Sequence, residues 1–99
     1  MKQSNKTRET VIRTEKRELD GIIYTYTLTV NVSEGVASYR LPLYSIKARM
    51  DDGEALCGEA SVNDAFADVG KALVFFEKLV EYVVTPIDLP YVLEDEMRS

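Results

Sequence analysis

Residues 20–32, DGIIYTYTLTVNV, carry the signal that decides the fold. Asp20-Gly21 is a tight-turn dipeptide, because glycine adopts positive φ at little steric cost. Beyond Ile23, apolar residues alternate with threonine or asparagine, and successive side chains of a strand point to opposite faces. The stretch therefore predicts a strand with its threonines in water and one buried face. That buried face is formed by Ile22, Tyr24, Tyr26, Leu28, Val30 and Val32.

Two further turn signals, Glu34-Gly35 and Asp52-Gly53, divide the neighbouring sequence into segments rich in β-branched and aromatic residues. The segments predict four strands, at residues 8–18, 22–32, 36–50 and 54–62. Short connections join antiparallel neighbours, so we expect a meander. The first strand is weakly patterned and charged, which is typical of an edge strand.

The third strand changes phase along its length. Tyr39 and Leu41 follow one alternation, whereas Tyr44 and the residues after it follow the opposite one. A bulge or bend near Pro42-Leu43 would reconcile the two, because an extra residue switches the side that faces the core.

A long apolar-periodic segment follows the strands. Asn63 or Asp64 is expected to cap a helix over residues 64–84, because its side chain can accept bonds from first-turn N–H groups. Apolar residues repeat there at three- and four-residue steps, which predicts a stripe facing the sheet. The core stripe contains Phe66, Val69, Leu73, Phe76, Val80 and Val83, widened by Ala65, Ala72 and Leu79.

Pro86 is expected to end this helix, since proline cannot continue the hydrogen-bond pattern. A short helical turn at residues 91–97 follows it. The predicted fold class is therefore α+β: a four-stranded antiparallel meander, one long helix on one face and a final helical turn (ββββα).

Length and composition predict one domain at residues 8–99, preceded by a flexible arm at residues 1–7. The chain has 99 residues and a formal net charge of −5, divided unevenly: residues 1–18 carry +3 and residues 19–99 carry −8. The acidic body would repel phosphate backbones, which argues against nucleic-acid binding. No signal peptide or membrane-spanning run is present, so we expect a cytoplasmic protein without membrane contact.

The residue types that usually carry chemistry are scarce. The chain has no histidine, and Cys57 is its only cysteine, so the thiol has no base to activate it. The acidic run at residues 51–54 lacks the alternating spacing of a calcium loop, and nothing places the acids of residues 94–96 across a cleft from others. We therefore predict no catalytic, cofactor or metal site, and a protein that is not an enzyme.

Partner surfaces are the better prospect. Lys71, Phe75, Lys78 and Tyr82 form an aromatic–lysine strip off the core stripe of the predicted helix, and aromatic residues dominate interface energetics. The alternative is that the C-terminal segment folds back over these aromatics, because a small domain needs every apolar contact.

A second surface is the last strand of the meander, where Leu56, Cys57 and Gly58 make a thinly protected edge. Pairing of two such edges would give a homodimer. The leading interpretation is thus a non-catalytic interaction or regulatory module that self-associates. The alternative is a small-ligand pocket between sheet and C-terminal tail, lined by Tyr39, Tyr44 and Tyr91.

The C-terminal half also carries a motif. Pro86, Leu89, Val92, Glu94 and Asp95 have the spacing Pro-x-x-Leu-x-x-Val-x-Glu-Asp. Over residues 62–95 the chain resembles a small family of uncharacterised proteins from Firmicutes bacteria, in which a hairpin-rich first half precedes a helix and this ending. The resemblance implies a bacterial cytosolic origin and no particular activity.

Overall fold

A computed structural model describes residues 7–33 and 42–98. It shows an α+β fold with four antiparallel strands in sequence order and two C-terminal helices, so the predicted meander is confirmed. The elements are β1 (Thr7–Leu19), β2 (Ile22–Ser33), β3 (Leu43–Asp51), β4 (Leu56–Phe66), α1 (Val69–Tyr82) and α2 (Leu89–Arg98). The helix expected over residues 64–84 is shorter, as α1, and the expected final helical turn is longer, as the ten-residue α2.

The first hairpin follows the predicted turn. Asp20 and Gly21 both have positive φ, at 55° and 79°, as a two-residue hairpin turn requires. The β1–β2 register is regular except for Ile12, an extra residue between Val11 and Arg13 that makes a bulge. The expected turn at Glu34-Gly35, the start of the third strand and most of its phase change lie outside the described residues, and β3 is described from Leu43 onward.

The end of β4 differs from the prediction. The strand continues to Phe66, which pairs with Tyr44, and neither Asn63 nor Asp64 caps a helix. Asp64 instead has φ 53° and lies in an irregular stretch where β4 has more residues than β3. The cap of α1 is Asp68, whose carboxylate accepts bonds from the N–H groups of Gly70 (2.7 Å) and Lys71 (3.4 Å).

The helix α1 ends at Tyr82, before Pro86. It is followed by the cap residue Val83, which has left-handed φ and ψ of 49° and 57°. Its N–H and that of Val84 bond carbonyls of the last helical turn. Such a cap normally uses glycine, since a β-branched residue is strained there. Residues 85–88 form a turn, and α2 then begins at Leu89, two residues earlier than the predicted final turn.

The core lies between the sheet and the helices. Tyr26 and Leu28 of β2 are fully buried on the helix-facing side, as their alternation predicts, and so are Phe75, Phe76 and Leu79 of α1. The predicted stripe is rotated: Val69 is exposed, and Phe75 takes a core position. Arg13 of β1 lies over the Phe76 ring, 5.4 Å from its centre, and closes one side of the core.

Candidate functional site

The aromatic–lysine strip is not a continuous exposed surface. Phe75 is fully buried, and its ring lies 5.4 Å from that of Phe66, because β4 extends far enough to bring Phe66 against α1. The prediction that Phe75 belongs to a contact strip is therefore wrong. Tyr82 is 69% exposed, Lys71 is exposed, and the Lys78 ammonium lies 3.1 Å from the Glu96 carboxylate of α2.

The predicted edge residues lie beside a groove. Leu56 and Cys57 are exposed at the start of β4, and Gly58 is half-buried. The β4 groove lies between residues 57–60 with Met50 on one side and the connecting segment 85–90 on the other, with a volume of about 520 Å³. Its surface is mainly apolar and includes the side chains of Met50, Ala60, Pro86, Ile87 and Pro90.

Gly58 lies between Met50 and Pro86 in the β4 groove. A Cβ added at Gly58 would lie 3.7 Å from the Met50 methyl and 3.8 Å from Pro86 Cγ, which is ordinary van der Waals contact. The strand backbone therefore approaches the 85–90 segment closely here without steric conflict. Ile87, at the rim, is 78% exposed, the largest exposed fraction among the large hydrophobic residues in the described part of the chain.

The hydroxyl of Tyr26 fixes the connection from α1 to the groove. It donates a 2.7 Å hydrogen bond to the Val84 carbonyl, immediately before the 85–90 segment. Burial of the ring raises the pKa of Tyr26 to about 12, because the charged phenolate is poorly solvated there. The neutral hydroxyl thus remains a donor over the whole physiological pH range.

The surroundings of the β4 groove are acidic. Asp88 lines it, and Asp51, Asp52 and Glu54 lie at the neighbouring β3–β4 turn, whereas the Glu59 side chain points to the opposite face of the sheet. The Asp52 carboxylate accepts bonds from the N–H groups of Glu54 and Ala55, and these bonds lower the Asp52 pKa below its usual value. The Glu59 carboxylate lies 3.9 Å from the Lys47 ammonium.

The tyrosines proposed for a ligand pocket are not brought together. Tyr44 packs against the core at the opposite end of β3 from Met50, about 20 Å along the strand. Tyr91 is exposed on α2, and neither it nor Tyr44 lines the β4 groove. Tyr39 lies outside the described residues. A pocket between sheet and tail is present, but no aromatic residue lines it.

The sequence indicated the β4 edge but missed Met50, Pro86 and Ile87, which line the groove beside it. One signal for the groove was present in the sequence, the Pro86-Ile87 pair after the helix. Ile87 is an apolar residue in a turn, and it belongs to no periodic pattern that would place it in the core. The Cys57 thiol donates a weak hydrogen bond to the Ala55 carbonyl, at 3.7 Å. Within residues 7–33 and 42–98, no acidic or sulfur-containing cluster could hold a metal ion, and neither helix is long and apolar enough to cross a membrane.

Comparison with known proteins agrees with the resemblance seen in the C-terminal half and extends it. No curated protein and no solved structure matches the chain. A family match covers residues 5–99, and therefore includes the strands as well as the helices. The chain belongs to DUF6514, a family of unknown function.

Proposed function

We propose that the protein is a non-catalytic interaction module that self-associates through the β4 groove. The observation that carries the proposal is an apolar groove beside a strand edge that no other described strand covers. An edge strand presents unpaired N–H and C=O groups, and an added strand would bond them while placing alternate side chains in the groove. Exposed Leu56 and Ile87 would both be covered.

The usable edge is short. Cys57 is an extra residue opposite the Met50–Asp51 step, and the stretch around Asp64 is irregular as well. Regular pairing therefore extends only from Gly58 to Val62, about 17 Å. Five residues of added strand give a weak interface, so we expect association at about 100 μM or above.

Charge favours the opposite edge of a second copy as the occupant. The groove and the β3–β4 turn beside it carry Asp88, Asp51, Asp52 and Glu54, whereas β1 carries four basic and three acidic side chains, a net charge of +1. Pairing two β4 edges about a two-fold axis would instead bring like charges together, which is destabilising. The proposed contact is therefore head-to-tail, with β1 of one copy along β4 of the next.

Light scattering over a concentration series tests the proposal. We expect the average mass to rise above that of a monomer between about 50 and 500 μM, and to fall in 1 M salt, where the Debye length is about 3 Å. Asp88→Lys, which reverses a charge at the groove, and Ile87→Ser should each reduce the mass. The control is Val74→Ser, because Val74 is also exposed, at 54%, but lies on α1 outside the groove.

A monomer throughout this range would refute self-association. A second candidate, binding of a small apolar molecule, then has support from the same groove, because its volume is within the range of ligand pockets. Its signature would be a rise in melting temperature with an added aliphatic ligand that Ile87→Ser removes. The proposed absence of catalysis has support in a chain without histidine, and a cytoplasmic location stays a prediction from the sequence.

A further inference from the structure

A second cavity lies on the face of the sheet opposite the helices. The open-face cavity has a volume of about 320 Å³, and its lining residues include Thr27, Thr29, Ser45, Ser61, Asn63, Glu9 and Lys47. The sequence predicts that the threonines of this face point into water. Thr29 is instead only 8% exposed, and its cross-strand partner Ser45 only 5%.

Irregularities in the two edge strands account for this burial. The bulge at Ile12 in β1 directly follows Val11, the partner of Thr29. The irregular stretch of β4 lies opposite Ser45. Bulges bend strands and increase their twist, so both edges curve where Thr29 and Ser45 lie between them. The sheet thereby forms a concave polar surface in place of a flat one.

Internal hydrogen bonds orient the groups at the base of the cavity. The Asp64 N–H donates to Ser45 Oγ at 2.8 Å, which leaves the Ser45 hydroxyl proton to point elsewhere. Thr29 Oγ1 donates to Glu9 Oε2 at 3.2 Å, which holds the carboxylate over the cavity. The Ser61 hydroxyl and the Asn63 amide have no partner among the described side chains.

Opposite charges approach the cavity from two strands. The Glu9 carboxylate lies next to Thr29. The Lys47 backbone is on the neighbouring strand, two residues beyond the Thr29 partner Ser45, and therefore about 8 Å from Thr29. The four-carbon side chain of Lys47 can therefore bring its ammonium to the same space. Its partner in the structure, Glu59, is 3.9 Å away and exposed, which makes a weak ion pair. Arg49 and Lys16 lie on the same face but outside the cavity.

We propose that the open-face cavity binds a small zwitterion of the free amino acid type. Its carboxylate would pair with Lys47 and accept bonds from the serine hydroxyls and the Asn63 amide. Its ammonium would pair with Glu9. Hydroxyl groups suit both ends, because each can donate or accept. The lining contains no aromatic ring, so the site does not offer the stacking surface that a nucleobase requires.

Amide chemical shifts of the full chain, recorded by NMR with each of the twenty proteinogenic amino acids at about 5 mM, test the proposal. We expect at least one to shift the Ser45, Ser61 and Asn63 signals in a saturable way. The N-acetyl and carboxamide forms of that amino acid, which each lack one charge, should bind at least about tenfold more weakly. Absence of saturable shifts with all twenty, or equal binding of the blocked forms, would overturn it.

Two variants assign the charges. Glu9→Gln keeps an acceptor for Thr29 but removes the negative charge, and Lys47→Met removes the positive one; each should weaken binding about tenfold or more. Lys16→Met is the control, since Lys16 lies on the same face outside the cavity, and it should leave binding unchanged. Binding unaffected by both Glu9→Gln and Lys47→Met would contradict the assignment. Asp88→Lys distinguishes this site from the β4 groove, because it should reduce self-association and leave amino acid binding to the open-face cavity unchanged.

Discussion

Replacing Tyr26 by phenylalanine should cost about 1–3 kcal/mol of unfolding free energy. The Tyr26 ring is fully buried, and its hydroxyl makes a 2.7 Å bond to the Val84 carbonyl. A hydrogen bond contributes about 1 kcal/mol net, and a carbonyl left without its donor adds a desolvation penalty of similar size. The ring itself stays in place, so no cavity contributes. At about 4–8 °C per kcal/mol for a domain of this size, the melting temperature should fall by roughly 4–24 °C.

Thermal unfolding followed by circular dichroism, with urea unfolding as a second measure, provides the assay. Tyr91→Phe is the matched control: it makes the same chemical change on an exposed ring and should alter the melting temperature by less than about 2 °C. A Tyr26→Phe variant as stable as the parent would refute the reasoning, because it would mean that the Val84 carbonyl finds water or another donor at no cost.

The same residue predicts a pH dependence. The folded-state pKa of Tyr26 is about 12, above the ordinary value of 10.0. The unfolded chain therefore loses this proton first, and the contribution of Tyr26 is fully present below pH 10 and declines as the pH rises from 10 to 12. The stability difference between the parent and Tyr26→Phe should accordingly narrow over that interval. A difference that stays constant or widens from pH 10 to 12 would contradict this.

Three further predictions concern the helix α1. Val83→Gly should stabilise the fold by about 0.5–1 kcal/mol, because glycine relieves the strain of the left-handed backbone conformation. Val83→Ala should not stabilise the fold, because alanine keeps that strain. Equal effects of the two variants on urea unfolding would exclude backbone strain as the explanation. Phe75→Ala should lower the unfolding free energy by about 3–5 kcal/mol, whereas Tyr82→Ala, at an exposed position, should change it by less than about 0.5 kcal/mol. The reverse order would contradict the burial of Phe75. Asp68→Ala should lower unfolding free energy by about 1 kcal/mol through loss of the helix cap, and no loss in thermal unfolding would argue against its role.

The sequence carries enough information for the meander because its signals are local. The Asp20-Gly21 turn and the alternation after it depend only on neighbouring residues, and the turn and the burial of Tyr26 and Leu28 appear in the structure as predicted. The start of the helix could not be placed this way. Asn63, Asp64 and Asp68 are all good caps, and the choice depends on the pairing of Phe66 with Tyr44, 22 residues earlier.

The candidate sites likewise combine features that are visible in the local sequence with features that depend on distant residues. The β4 edge is visible in the sequence as a glycine-containing last strand, but the wall of its groove comes from a segment 27 or more residues away from Gly58. The open-face cavity depends on irregularities in two different strands, each opposite the same row of β2 and β3 residues. Alternation in β2 predicts a wet threonine face and gives no sign of that curvature. Sites that depend on strand curvature and on contacts between distant segments therefore cannot be predicted from a single sequence.

The strand order has a consequence for how the molecule assembles. Each strand pairs with its neighbour in sequence, so the whole sheet can form from short hairpins at low loop-closure cost. The helices that cover its apolar face come after all four strands. During synthesis, Tyr26 and Leu28 are therefore made long before Phe76 and Leu79, which bury them. A sheet that forms before the helices are in place would expose this apolar face, and exposed apolar surface of that kind is open to chaperones and to aggregation.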